Sequence, residues 1–172
     1  MFLNFSCLLF EIIDLFFADK AILFEGTVER ILLPIFIDKI DRESSENKLS
    51  EQYITSIEVG GAYISKFKEL LEFLDLKTLI ITDIDSVKKG TMENKKGKTI
   101  TTYKKTSIVN DDDLLTSNET LKDWIPGKPK IMELLTLEDA EKIQENIRVA
   151  YQTNVSTSSD SIKCGRSFEE AF

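Results

Sequence analysis

The chain contains no histidine, two cysteines, three prolines and seven glycines among its 172 residues. Each scarcity removes a class of chemistry. Without imidazole there is no histidine base or histidine metal ligand, and Cys7 and Cys164 lie far apart in no CxxC spacing, so zinc sites are excluded. A reducing cytoplasm is the simplest home for two such isolated cysteines. No Gly-x-x-x-x-Gly-Lys-Ser/Thr loop occurs, so the chain does not itself carry a phosphate-loop ATPase. Few prolines and 42% hydrophobic residues describe a globular chain able to bury one ordinary core. The net charge of −8 argues against broad, nonspecific attraction to nucleic acid, although an acidic metal site itself contributes such charges.

What is present begins with a greasy N-terminus. Residues 1–17 are rich in Phe, Leu and Ile but have no basic leading region and no small-residue cleavage site, and they carry Glu11 and Asp14. Residues 1–16 therefore read as an amphipathic helix, a remnant of an upstream domain, with Leu9, Ile12, Ile13, Phe16 and Phe17 at helical spacing for packing on a sheet.

Apolar runs and turn residues then set out an alternating pattern. Strands are expected at 21–24, 53–59 and 77–81, and helices at 29–39, where Pro34 is awkward, and at 62–74 after Gly60 and Gly61. Strand and helix in alternation predict an α/β fold with a parallel sheet. Residues 86–113 lose the pattern and hold a lysine-rich loop or hairpin: Lys88, Lys89, Lys95, Lys96, Lys98, Lys104 and Lys105. A short helix is expected over 116–124, capped by Ser117 or Asn118, and a turn at 126–129. A longer helix is expected over 137–149 with Thr136 as cap, a polar loop at 154–160, and a last helix from 164.

Two acidic clusters each close an apolar run: Glu25 and Glu29 after the first strand, Asp83 and Asp85 after the third. Ligands of open α/β sheets bind at that edge, and magnesium or manganese takes oxygen ligands, using one or two carboxylates per ion. Alternation along an extended strand would aim Asp83 and Asp85 the same way, with Ile84 facing away. Beside such a site the lysine-rich segment is placed to hold phosphates.

These motifs, with Glu58-Val-Gly-Gly-Ala-Tyr, Thr116-Ser-Asn-Glu-Thr-Leu-Lys and Arg166-Ser-Phe-Glu-Glu-Ala-Phe, resemble the Toprim domain of the OLD (overcoming lysogenization defect) family of ATP-dependent endonucleases. The resemblance implies a Rossmann-like Toprim sheet flanked by helices, with a basic insertion and a helical C-terminal part, over residues 17–172. It implies a metal-dependent DNA endonuclease module using two Mg²⁺ or Mn²⁺ ions, with Glu25, Asp83 and Asp85 catalytic and Glu25, Glu29, Asp83, Asp85 and Glu169 as metal ligands. Lys88, Lys89, Lys95, Lys96 and Lys98 are the expected DNA contacts. The expected partners are DNA, an N-terminal ABC-type ATPase through which alone ATP would enter, and a second copy in the full-length protein; no membrane is expected. Family members carry a further basic residue beyond the Ser-Phe-Glu-Glu-Ala-Phe segment, which places the piece as C-terminally truncated and weakly active alone. The alternative is a noncatalytic acidic α/β module, phosphoacceptor-like or an inactive remnant, which would need one nucleophilic aspartate and a lysine at an adjacent strand end.

Overall fold

The structure is a computed structural model that describes residues 12–44, 46–93, 97–157 and 162–171. The chain divides into two compact units, the first comprising residues 1–82 and 143–150 and the second 83–142 and 151–172.

The first unit is a parallel sheet built on one strand. Strand β1 (Lys20–Phe24) is an almost continuous apolar run whose last four residues are buried, as a strand covered on both faces requires. It pairs in parallel with β2 (Ile54–Glu58) on one side and β3 (Lys77–Ile81) on the other. Strand β8 (Ile147–Ala150) adds in parallel to β3, and the two-residue β7 (Ile143–Gln144) closes that edge antiparallel, giving the order β2-β1-β3-β8-β7. Helix α1 (Thr27–Glu43) connects β1 to β2, and Leu33 on it packs with Ile22 and Phe24, flanked by Ile37, Ile54, Leu79 and Ile81. Ala21 and Leu23 alternate to the opposite face and are equally buried. Past α1, the Asp41 carboxylate accepts the Leu49 and Ser50 amides at 2.7 and 2.9 Å, which fixes the loop leading to β2.

The second unit starts as an antiparallel ribbon of β4 (Ser86–Glu93) and β5 (Thr99–Lys105), with β6 (Leu114–Thr116) on the other side of β4. Its buried residues include Ile84, Val87, Leu114, Leu121, Ile131 and Leu134. Helix α3 (Glu119–Asp123) begins at Asn118, whose side chain accepts the amides of Thr120 and Leu121, and α4 (Ile131–Thr136) follows. The element between β2 and β3 in the first unit is helical in two parts, a 3-10 stretch Gly61–Phe67 running into α2 (Lys68–Leu74), where the sequence suggested one helix.

The expected α/β class and its first three strands stand, with strand ends shifted by at most a residue; four further expectations about the elements are corrected. Helix α1 starts earlier and ends later than 29–39 and runs through Pro34. The helix expected over 137–149 is instead a 3-10 turn (Asp139–Lys142), then β7 and β8 joined at Glu145–Asn146, with Glu145 at φ 53°. Buried Ile147 and Val149 alternate with exposed Arg148, a period of two that suits the open edge of β3 better than a helix. Over residues 162–171 the expected helix is reduced to a 3-10 turn (Glu169–Ala171), because the Arg166 carbonyl and the Phe168 amide are taken by Asp85 and Asp83 and the Arg166 amide by the Glu170 side chain. Residues 1–11 of the expected N-terminal helix lie outside the described residues; of the rest, Leu15 is buried whereas Phe16 and Phe17 are 55% and 70% exposed, so those two rings do not pack on the sheet.

Replacing Ile80, fully buried in β3, by alanine should cost about 2–5 kcal/mol of stability in urea unfolding, whereas Phe73→Ala, at a side chain 79% exposed, should stay within about 0.5 kcal/mol.

Candidate active site

In the first unit the in-register pairing of Phe24 with Ile81 brings the ends of β1 and β3 side by side. Glu25, one residue past β1, accepts a hydrogen bond from the Thr82 hydroxyl one residue past β3. Gly26 then caps α1, and Glu29 is buried in the first helical turn, where the positive end of the helix dipole favours a carboxylate. A Cβ on Gly26 would come within 3.2 Å of Glu29 Oε2, so the glycine leaves room for that carboxylate. Next along the edge, Glu58 pairs with Arg30 at 2.9 Å and accepts from Thr27.

The aspartates belong to the second unit. Strand β3 ends at Ile81, so Asp83 and Asp85 stand in the connection beyond it, and strand alternation does not set their directions. Asp85 has φ 46°, in the left-handed region that aspartate tolerates better than most residues. What sets the directions is a set of hydrogen bonds from distant segments. Gln152 is bidentate: Nε2 donates to Asp83 Oδ1 at 2.8 Å while Oε1 accepts the Ile84 amide at 2.8 Å. Phe168 N–H donates to the same Asp83 oxygen at 2.7 Å. Asn118 Nδ2 donates to the Asp83 carbonyl at 2.8 Å, and Ser117 N–H to the Asp85 carbonyl at 3.0 Å. Arg166 holds Asp85 twice: its carbonyl accepts the Asp85 amide at 3.1 Å, and Nη1 donates to Oδ1 at 2.9 Å. Ile84 between them is fully buried.

Burial raises the Asp83 carboxyl above its ordinary pKa, against the hydrogen bonds from Gln152 and Phe168, and the carboxylates of Asp85 and Glu169 push it the same way. Glu169 is exposed and moves down, held by its own backbone amide and then by the Ser167 hydroxyl at 2.9 Å. Asp83 thus feels both of the other acids of its unit. Among the described residues no group of three or more acidic or cysteine side chains forms a ready-made ligand cluster. The donor chemistry nevertheless fits a hard divalent ion, since every expected ligand offers a carboxylate oxygen and a cation, the Arg166 guanidinium, already stands against Asp85.

The lysines are carried by the β4–β5 ribbon. Lys88 stands directly opposite Lys104, and Lys89 opposite Tyr103. A cavity of about 380 Å³ on the ribbon is lined by Lys88, Lys89, Lys104 and Lys105 with three threonines and Gly90, and by no acid. Lys88 is not a free charge: Asp111 pairs with it at 2.6 Å, and that hydrogen bond raises the lysine pKa and lowers that of the aspartate. Lys98 lies near the ribbon's turn, and Lys95 and Lys96 lie outside the described residues.

Sequence reasoning assigned no role in the site to Thr82, Ser117, Gln152 or Arg166, and read Asn118 only as a helix cap. Asn118 was reachable, because a cap amide has a donor to spare after its oxygen is used. Gln152 carries no local signal, since its partner is 69 residues away.

A parallel sheet whose strand ends carry glutamates, followed by an aspartate pair, is the arrangement of a Toprim fold. Residues 16–85 match the family model described as "Overcoming lysogenization defect protein-like, TOPRIM domain", and Glu25, Glu29, Asp83 and Asp85 fall within the match. It is similar to Endonuclease GajA of Bacillus cereus (strain HuB5-5), with 31% identity over 164 residues, covering 95% of this chain and 20% of that protein. The chain thus spans about one fifth of that relative's length. No solved structure matches significantly. Together the family and the relative support a nuclease-type module.

Cys164 takes no part in this arrangement, and burial pushes its thiol up to about 11. In a Cys7→Ser background at about pH 8, the folded chain should hold roughly 100-fold less thiolate than in urea, read as slower iodoacetamide labelling that climbs about tenfold per pH unit. Because the folded thiol holds its proton longer, the Cys164 contribution to stability should be fully present below about pH 9 and lost as pH rises towards about 11.

Proposed function

We propose that the chain is the catalytic module of a metal-dependent DNA endonuclease that hydrolyses phosphodiesters, working within a larger ATP-regulated protein in the cytoplasm. The observation that carries this reading is the aspartate pair, held by side-chain and backbone donors from Gln152, from Ser117 and Asn118, and from Arg166 and Phe168, in a chain whose family match ends at Asp85. Side chains tethered from several segments are pre-organised, which is worth more to a metal site than proximity alone.

The ligands we propose are Glu25 and Glu29 from the first unit and Asp83, Asp85 and Glu169 from the second, for Mg²⁺ or Mn²⁺. Two such ions, when bound, supply activation of the attacking water and stabilisation of the departing oxygen, which is why no histidine is needed. The chain's own residues do the rest. Thr82 orients Glu25, Gln152 and Phe168 fix one Asp83 oxygen, and the left-handed backbone at Asp85 turns its carboxylate under the control of residues 166–168. Lys89 and Lys98, with Lys95 and Lys96, contact DNA phosphates without reading bases, and Lys88 joins them with its charge already largely offset by Asp111. Lys104 and Lys105 join them on the same ribbon. ATP acts through an ABC-type ATPase domain that precedes residues 17–172 in the whole protein, which works as a dimer, with residues 1–16 as an amphipathic remnant of that upstream domain.

Saturating Mn²⁺ should raise the melting temperature, since about 100-fold excess over Kd contributes roughly 2.7 kcal/mol. The shift should vanish in the variant Asp83→Ala with Asp85→Ala. Set in place of the corresponding segment of a full-length OLD-family nuclease, the chain should support plasmid cleavage that Glu25→Gln and Asp83→Asn each abolish without unfolding; equal cleavage by either variant would overturn the reading.

DNA affinity should fall steeply with salt. Replacing Lys89, Lys104 and Lys105 by alanine should flatten the plot of log affinity against log salt by roughly 0.9 unit for each phosphate no longer neutralised, while Lys88→Ala, already neutralised by Asp111, should change it least.

A further inference from the structure

Arg166 sits where a cation would be expected. Its side chain is only 15% exposed, its Nη1 lies 2.9 Å from Asp85 Oδ1, and its Nε lies 3.8 Å from Glu170 Oε1. The same residue is bound through its backbone on both sides: its amide donates to Glu170 Oε2 at 3.0 Å and its carbonyl accepts from Asp85. The guanidinium is therefore held by the fold and is not a surface side chain that happens to reach an acid. It faces the one aspartate of the pair whose backbone is left-handed, in a unit where the charges of Asp85 and Glu169 both act on Asp83.

We infer that Arg166 is a resident counter-cation that occupies Asp85 in the ion-free chain and must be displaced for a divalent ion to be ligated there. The inference rests on the metal-binding reading of Asp85. Its physical basis is a competition for lone pairs. An Asp85 oxygen that accepts a charge-assisted bond from a largely buried guanidinium cannot give that lone pair to a metal, and a divalent ion and a guanidinium close together repel. Leaving the aspartate with no cation is costly too, because removing one partner from a buried pair strands the other charge. The chain thus exchanges one cation for another and never exposes the bare carboxylates to each other. Arg166 acts on the ion through Asp85, as a positioning residue. Displacement also pulls on residues 166–168, whose Phe168 amide holds Asp83, so occupancy at one aspartate is transmitted to the other.

The test is Mn²⁺ titration of the whole chain by calorimetry, comparing the unaltered protein with Arg166→Gln, Arg166→Lys, Asp85→Asn and Lys163→Gln, each checked for folding by circular dichroism. Lys163→Gln removes the same charge nearby from a side chain that does not pair with Asp85, and so separates competition from general electrostatics. Arg166→Gln should bind Mn²⁺ at least about tenfold tighter and melt at a lower temperature without metal, Arg166→Lys should fall between, and Lys163→Gln should bind as the unaltered protein does. With Mg²⁺, the Nε–H resonance of Arg166, identified by its loss in Arg166→Gln, should shift on saturation. Weaker or unchanged binding by Arg166→Gln, or a resonance indifferent to saturating Mg²⁺, would overturn the inference while leaving the metal site intact. Binding undiminished in Asp85→Asn would overturn it by removing Asp85 from the ligands, and absence of any saturable binding in the unaltered protein would overturn both readings.

Discussion

The first unit depends on a single strand being paired on both sides. Strand β1 has no exposed residue, and its register with β2 and β3 sets which residue ends up beside which along the C-terminal edge of the sheet. A slip of one residue would invert its side chains, bringing Ile22 and Phe24 away from Leu33 and carrying Glu25 away from Thr82. The hydrophobic contacts of the sheet and the placement of the acidic edge are therefore one constraint. It is enforced at the level of packing and felt at the level of the site.

The second unit solves a different problem, which is to keep carboxylates together in a chain that already carries excess negative charge. Its answer is to bind them by donors from separate segments rather than by solvent. Gln152, Asn118, Ser117 and the stretch from Arg166 to Phe168 each give one or two hydrogen bonds, and none is near Asp83 in sequence. Charge-assisted bonds of this kind offset the desolvation that raises Asp83. The lysine ribbon solves the converse problem with one ion pair, Lys88 to Asp111, which offsets the facing charge of Lys104.

Much of the fold was legible because burial leaves a one-dimensional trace. Residues 21–24 and 77–81 are apolar runs that stop at acids, and such runs in alternation with amphipathic stretches leave few topologies. The ribbon was half legible, as a lysine-rich hairpin. Residues 137–149 misled because Leu137, Ala140, Ile143 and Ile147 also satisfy helical spacing, and only the vacancy beside β3 decides for a strand. The acids of the site could be named from their positions after strands, but the groups that hold them could not. A hydrogen bond between Gln152 and Asp83 is a fact of tertiary structure, and a glutamine after a strand looks the same whether or not it makes one. The left-handed turn at Asp85 was equally invisible, since aspartate marks many loops and left-handed backbone in few of them.

The division of the chain has a consequence for how it is made. Thr78 of β3 pairs with Ile147 of β8, and the residues between them include the first part of the second unit, 83–142. On a ribosome the outer edge of β3 emerges well before its partner, and at roughly 5–20 residues per second the intervening stretch takes on the order of 3–12 s to synthesise. During that interval a strand rich in isoleucine and leucine presents unpaired backbone groups, the condition under which nascent chains associate wrongly or recruit chaperones. The sheet therefore closes late, and β8, read from the sequence as part of a helix, is the segment whose arrival ends the exposure.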